Sequence, residues 1–193
     1  MKKSVFRNEM IKQLKSMEIA LYKQKSLYIK KNLLNSPEFL NASIIGITIS
    51  RFPEVNTRPI IEAAWELGKK IAVPKCENKT REMDFRMITS YDNLETVYLD
   101  LQEPIIKETR SIEKDKINLQ IVPGVVYADN GLRIGFGGGY YDRYLMDYTG
   151  DVVSLAFEKQ TGQTIPFEEH DIPVQKIFTE NGIVICVKGE NNH

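Results

Sequence analysis

Between Ser43 and Lys75 the chain spells out a strand, a helix and a second strand joined by short links, and no other stretch constrains the fold as tightly. "SIIGITIS" (43–50) is a continuous apolar run rich in isoleucine, the pattern of a strand buried on both faces. "RFPEVNT" follows as a loop. "TRPIIEAAWELGKK" then places Ile60, Ile61, Ala64, Trp65 and Leu67 on one helical face, with Thr57 as N-cap and Gly68 as the stop. Trp65 reads as a core residue of that face. "KIAVPK" is the next buried strand. Two consecutive parallel strands need a crossover, and a helix between them supplies it, so the chain belongs to the α/β class.

The remaining elements fit around this unit. The first thirty-odd residues read as helix, with Phe6, Met10, Leu14, Met17 and Leu21 recurring at spacings of three and four. Nine Lys or Arg stand against two Glu up to Lys31, and Pro37 marks the end of the helical region. Further strands are expected at "MDFRMIT", "INLQIVP", "DVVSLAFE" and "GIVICV". The charged span from Tyr91 to Lys116 reads as irregular surface with a short helix. Asp129-Asn130-Gly131 signals a tight turn, and "YYDRYLMDY" a short helix. No repeat or low-complexity linker divides the chain, so residues 1–193 read as one domain. Lys plus Arg equals Asp plus Glu at 26 each, which argues against a coat for nucleic acid or for an acidic membrane. In the opening stretch "MKKSVFRNEMIKQLK" charges interrupt every apolar run, leaving no signal-peptide core, and no run in the chain approaches the roughly 20 apolar residues of a membrane span. A cytoplasmic location is expected. Cys76 and Cys186 lack any CxxC or Cys/His pattern and read as reduced thiols, Cys186 as a small core residue.

The stretch "RIGFGGGYYDRYL" (133–145) sets four glycines within five residues. Gly135, Gly137, Gly138 and Gly139 can adopt positive φ and present no Cβ, and a loop of this kind at a helix start exposes N–H groups to a phosphate. No Gly-Lys-Ser/Thr closes it, so it is not a Walker A loop. Tyr140 occupies the third glycine position of the dinucleotide fingerprint, so it is not that either. A bulge or tight packing beneath a helix is the alternative. The flanks favour the phosphate reading: Asp142 stands where a Mg²⁺ ligand is needed, and Arg133 and Arg143 bracket the loop with charge for phosphate oxygens.

"LRIGFGGGYYDRYL" resembles the most distinctive motif of the 5-formyltetrahydrofolate cyclo-ligase family, the methenyltetrahydrofolate synthetases. "KKSVFRNEM" resembles the family's basic N-terminal helix, "EVNTRPII" its substrate loop after the first strand, and "EEHDIPVQKIFTE" its late acidic loop. The resemblance implies a three-layer α/β sandwich with a mainly parallel sheet, helices on both faces and a site at the carboxyl ends of the strands. It also implies ATP- and Mg²⁺-dependent conversion of 5-formyltetrahydrofolate to 5,10-methenyltetrahydrofolate through a phosphorylated formyl group, with ADP and phosphate released. Lys3 and Arg7, four apart on one helical face, match its N-terminal phosphate contacts; a solvated basic helix is the plainer reading of the same pair. Arg133, Gly135, Phe136, Gly137, Gly138, Gly139, Tyr140 and Tyr141 match its nucleotide loop, with Phe136 to Tyr140 also lining the folate side. Arg51 and Asn56 fall at its substrate-contact positions, with Glu54 nearby as a candidate to supply a carboxylate, and Asp142 and Asp171 fall at its metal positions. Arg133, Tyr140 and Asp142 are the implied catalytic residues.

Three departures stand out. Asn56 is an amide where a carboxylate is common, Gly138 replaces a basic residue of some relatives, and Gln175 replaces a common aspartate. His170 reads as an exposed loop residue, and His193 as part of a disordered terminus. The expected partners are small molecules, with no nucleic acid and no membrane, and the expected state is a monomer or weak dimer. A non-catalytic folate-sensing or folate-storing module on the same scaffold is the competing reading, disfavoured by the presence of both Asp142 and the Lys3/Arg7 pair. An RNA-binding role lacks aromatic interleaving and positive charge.

Overall fold

A computed structural model describes residues 1–186. His193 and the last residue of "GIVICV" lie outside the described residues. Three helices come first: α1 (Lys3–Lys15), α2 (Ile19–Leu34) and α3 (Pro37–Asn41). The strand–helix–strand unit follows as β1 (Ile44–Gly46), α4 (Arg58–Glu66) and β2 (Lys70–Cys76). Next are β3 (Met83–Ile88), β4 (Leu94–Thr96), β5 (Gln102–Pro104), β6 (Arg110–Ser111) and β7 (Leu119–Ile121). The hairpin β8 (Val126–Tyr127) and β9 (Arg133–Ile134) leads through the glycine loop to α5 (Tyr140–Leu145), and β10 (Asp151–Leu155), β11 (Lys176–Thr179) and β12 (Gly182–Ile185) complete the order.

Eight strands form the main sheet in the order β12-β11-β10-β7-β1-β2-β3-β6. Its centre is parallel: β1 pairs with β2 and with β7, β10 with β7 and with β11. Both margins are antiparallel, because β3 returns beside β2 and β12 beside β11 through short hairpins. Pleating sends alternate side chains to opposite faces. Ile45, Ile71, Val73, Leu119, Val153 and Phe178 join the apolar cluster under α1–α4, while Ile44, Ala72, Val152 and Ile177 pack on the other face with Tyr144 and Leu145 of α5. The fold is therefore the expected α/β sandwich with a mainly parallel sheet. Helical cover is unequal: four helices lie on one side, one short helix and irregular chain on the other.

Several local expectations are corrected. The N-terminal helical region is two helices, since Glu18 is extended (ψ 140) before α2 begins. That break shifts the phase of the apolar stripe, so Tyr22 is buried and Leu21 is 40% exposed. Pro37 opens α3 at its first turn instead of ending a helix, capped by Ser36 Oγ, which accepts from Phe39 N–H at 3.2 Å. Leu67 follows the last residue of α4 and is 61% exposed, outside the buried stripe. Thr57 stands at the N-cap, but its hydroxyl accepts from Ser50 N–H (3.0 Å) and donates to Thr48 O (2.8 Å), fastening the helix start to the segment that follows β1. Gly68 is left-handed (φ +77), as a helix stop requires. "KIFT", expected within an acidic loop, is strand β11. Both cysteines are free, and Cys186 is half-buried. Among the described residues no helix is long and apolar enough to cross a membrane.

Candidate active site

In the sheet order the chain steps from β1 to β2 on one side and later to β7 on the other, so β1 and β7 flank the point where the winding reverses. Side connections leave in opposite directions there, and a crevice opens at the carboxyl ends of the strands. A cavity of about 440 Å³ occupies this position, floored by Thr48 and Ile49 after β1, Cys76 at the end of β2 and Pro123 after β7.

The β8–β9 hairpin supplies one wall. Gly131 closes its turn with φ +89, where an added Cβ would overlap the Val174 carbonyl. The hairpin delivers Arg133, 9% exposed, into the cavity wall. Its Nη1 donates to Ile172 O at 2.7 Å and its Nη2 lies 3.5 Å from Asp142 Oδ1. Asp142 Oδ1 also accepts from Ile172 N–H (2.9 Å), so the backbone of one residue, through its N–H and its carbonyl, orients both the acid and the arginine. Within the glycine loop only Gly137 (φ +99) and Gly139 (φ +69) are left-handed, while Gly135 and Gly138 are not. With six residues, α5 carries little macrodipole, so any anion-binding power here resides in loop N–H groups and nearby cations.

Those cations come from α1. Met10 and Leu14 bury its inner face in the same apolar cluster as Val125, Val126 and Ile134 of the β8–β9 region, which points the first turns at the loop. Arg7 Nε donates to Gly135 O at 2.7 Å, and Lys3 Nζ lies 2.8 Å from Asp171 Oδ2. Asp171 Oδ2 also accepts from Glu168 N–H (2.9 Å). Burial alone would raise the Asp171 pKa, but Lys3 and the Glu168 N–H outweigh it and hold the carboxyl below its ordinary value.

The opposite wall is the loop after β1. Arg51 N–H donates to Glu54 Oε2 at 2.6 Å, and the Arg51 guanidinium reaches Leu99 O in the turn between β4 and β5. Burial lifts the Glu54 pKa, against the Arg51 N–H and charge. Tyr140 donates to Asn78 Oδ1 (3.0 Å), whereas the buried Tyr141 hydroxyl has no hydrogen-bond partner among the described residues and burial raises its pKa.

Lys3, Arg7, Arg51, Glu54, Arg133, Gly135 to Tyr141, Asp142 and Asp171 all line this one cavity. Asn56 does not. Its Oδ1 accepts from Arg58 N–H (3.3 Å) at the start of α4, which uses the amide as a helix cap. Gln175 is likewise engaged elsewhere, accepting from Val152 N–H at 3.2 Å. Arg143 points into a neighbouring cleft beyond Tyr140, and Trp65 packs 5.3 Å from Tyr91, away from the site. Cys76, Leu101 and Glu168 line the cavity although the sequence did not single them out. Cys76 could have been found from its place at the carboxyl end of a parallel strand; burial, then Glu103, push its thiol up to about 12, a neutral group at ordinary pH. His170 is exposed, as expected, yet edges the cavity with Nε2 3.0 Å from Glu168 Oε2.

Among the described residues no three His, Cys, Asp or Glu converge as a metal cage. Asp142 and Asp171 nevertheless fit Mg²⁺, which takes one or two carboxylates and completes its shell with phosphate oxygens and water. Each acid has one oxygen engaged by backbone N–H, while Asp142 Oδ2 and Asp171 Oδ1 make no hydrogen bond to a described N–H or O–H.

The family model for the 5-formyltetrahydrofolate cyclo-ligase family matches residues 1–180. A probable 5-formyltetrahydrofolate cyclo-ligase of Caenorhabditis elegans is 28% identical over 80% of this chain and 81% of its own, and a mouse 5-formyltetrahydrofolate cyclo-ligase is 26% identical over 91% and 92%. The solution structure of a 5,10-methenyltetrahydrofolate synthetase from Aquifex aeolicus superimposes with a TM-score of 0.84 at 25% identity, covering all of both chains. A solved structure of a Mycoplasma pneumoniae 5,10-methenyltetrahydrofolate synthetase shares the fold, with a TM-score of 0.75 at 20% identity over 93% of this chain and 99% of the other. With a match that spans nearly the whole sequence and a cavity at the reversal point that gathers the motif residues, the chain belongs to the 5-formyltetrahydrofolate cyclo-ligase family.

Proposed function

We propose that this chain closes the ring of 5-formyltetrahydrofolate to 5,10-methenyltetrahydrofolate by spending the γ-phosphoryl group of ATP on the formyl oxygen. One observation carries the reading: a single cavity joins an open glycine loop to Lys3, Arg7 and Arg133, with the carboxylates of Asp171 and Asp142 beside Lys3 and Arg133. A formamide is a poor electrophile, and its oxygen leaves poorly. Transfer of the phosphoryl group to that oxygen gives an iminium phosphate and ADP. N10 of the folate then attacks the activated carbon and gives up its proton to solvent, the C–O bond breaks, and phosphate departs with the oxygen.

The protein's part is positioning and charge neutralisation. Arg7 and Lys3 approach the loop from α1, and Arg133, fixed by Ile172 O, holds its charge steady as the phosphoryl group moves. Tyr140, steadied by Asn78, walls the loop. Arg51 and Glu54 shape the side left for the pterin. Mg²⁺ held by the free oxygens of Asp142 and Asp171 would offset phosphate charge. The same reading makes this a cytoplasmic enzyme of small molecules, a monomer or weak dimer.

The test is purified protein with ATP, Mg²⁺ and 5-formyltetrahydrofolate, followed by the methenyl absorbance and by ADP release. Equal amounts of both are expected, and Asp142→Asn should lower turnover at least a hundredfold with an unchanged melting temperature, since it removes the charge facing the phosphates. Product without ATP, or an Asp142→Asn enzyme of normal rate across a Mg²⁺ titration, overturns the mechanism.

A further inference from the structure

Arg81 sits on the β2–β3 hairpin, far in sequence from the glycine loop, and nothing in its own segment marks it as functional. The hairpin is held by Glu77 N–H to Glu82 O and Arg81 N–H to Glu77 O, both 2.9 Å. Arg81 there takes a left-handed backbone (φ +61), a conformation that disfavours a residue with a Cβ. The outcome is a guanidinium 5.5 Å above the Tyr140 ring centre, with Nη1 3.5 Å from the Tyr140 hydroxyl. The same Nη1 lies 3.8 Å from the point where a Cβ on Gly138 would stand. Arg81 therefore abuts the glycine loop from the neighbouring cleft that it shares with Arg143, across Tyr140 from the cavity.

Charge balance gives this position a meaning. The cavity lining carries four cations and four carboxylates, formally no net charge. Lys3 is matched by Asp171 and Arg133 by Asp142. Arg7 has no carboxylate partner among the described residues, but a nucleoside triphosphate brings more negative charge than Arg7 and one divalent ion together offset, so the loop needs a further cation. Among the described residues Arg81 has no carboxylate within ion-pair distance, and it is exposed and free to move toward an anion.

We propose that Arg81 is a phosphate-binding residue of the nucleotide site, reaching over Tyr140 and Gly138 to the outer phosphates of ATP. This rests on the ATP reading above. The experiment measures dissociation constants of ATP, ADP and AMP, and separately of 5-formyltetrahydrofolate, for the wild type, Arg81→Gln, Arg81→Lys and Asn78→Ala. Arg81→Gln should weaken ATP about tenfold or more, ADP less, and AMP and the folate not at all. Arg81→Lys, which keeps the charge, should stay within about threefold of wild type. Asn78→Ala loosens Tyr140 without removing charge, and should not reproduce the graded loss. A uniform loss across the three nucleotides and the folate would show that Arg81 only props Tyr140, and unchanged ATP affinity in Arg81→Gln would show no role; either overturns the proposal while leaving ATP use intact. A wild type that binds no ATP removes the ATP reading and Arg81's role together.

Discussion

Gly137 and Gly139 hold the glycine loop open by adopting backbone angles that a side chain resists, and neither is crowded: an added Cβ at Gly137 would stand 3.5 Å from Arg7, and at Gly139 would meet nothing within 4 Å. Alanine at either position therefore acts through backbone strain and through the methyl it sets beside the anion, not through clash with the core. Each variant should lose nucleotide affinity and kcat by at least about tenfold, worth about 1.4 kcal/mol, with a small fall in melting temperature. Gly135→Ala, at ordinary φ with nothing within 4 Å, should bind ATP almost normally; calorimetry on the three variants separates the cases. The sequence marked all four glycines alike, because composition carries no φ. The basic residue that some relatives carry at 138 implied that Gly138→Lys would be tolerated better than alanine at 137 or 139. The structure corrects this: the Tyr140 ring lies 2.5 Å from the Cβ position and would have to swing away. Glu54 offers a test by pH. Its folded-state pKa is raised above 4.5, chiefly by burial. Its stabilising contribution is thus complete below the unfolded value, where the group is protonated, and is lost as pH rises through the folded value. Glu54→Gln should match the wild-type melting temperature near pH 4 and exceed it increasingly toward neutrality; a constant gap across pH would assign the effect to packing.

Among the elements, α1 links the apolar core to the loop. Its inner residues Met10 and Leu14 are buried, and its first turns carry Lys3 and Arg7 to Asp171 and Gly135. Lys3→Ala and Arg7→Ala should each raise the KM for ATP several-fold while moving that for the folate little, and steady-state kinetics with each substrate varied in turn checks this. Equal changes in both constants would return α1 to a merely structural part. Elements with a strong local pattern were legible in advance: the β1–α4–β2 unit, the turn at Gly131 and the short α5 all stand where the sequence puts them. Others were hidden for physical reasons. The α1–α2 break has no proline or glycine to announce it, only a change in which residues face inward. β11 is four residues long, with Ile177 and Phe178 pointing to opposite faces, and so shows neither alternation nor a long apolar run. Arg81 was invisible because its neighbourhood is made by a hairpin folding back on a loop some sixty residues away.

At the scale of the whole molecule, the site is drawn from both ends of the described chain. The sheet brings the carboxyl ends of β1, β2 and β7 together, but the wall facing them is closed by Lys3 against Asp171, side chains 168 residues apart in sequence. The motif around Arg133 named the place, and only tertiary structure completes it, through Ile172, Leu99 and Glu168. That clasp orders events during synthesis. The helix α1 leaves the ribosome well before the segment bearing Asp171, so Lys3 is made long before the acid it meets. The helices and the first parallel strands can associate as they emerge, yet the cavity stays open on one side until the segment bearing Asp171 has been made and has folded back. A chain stalled before that point would hold much of the fold and none of the finished site.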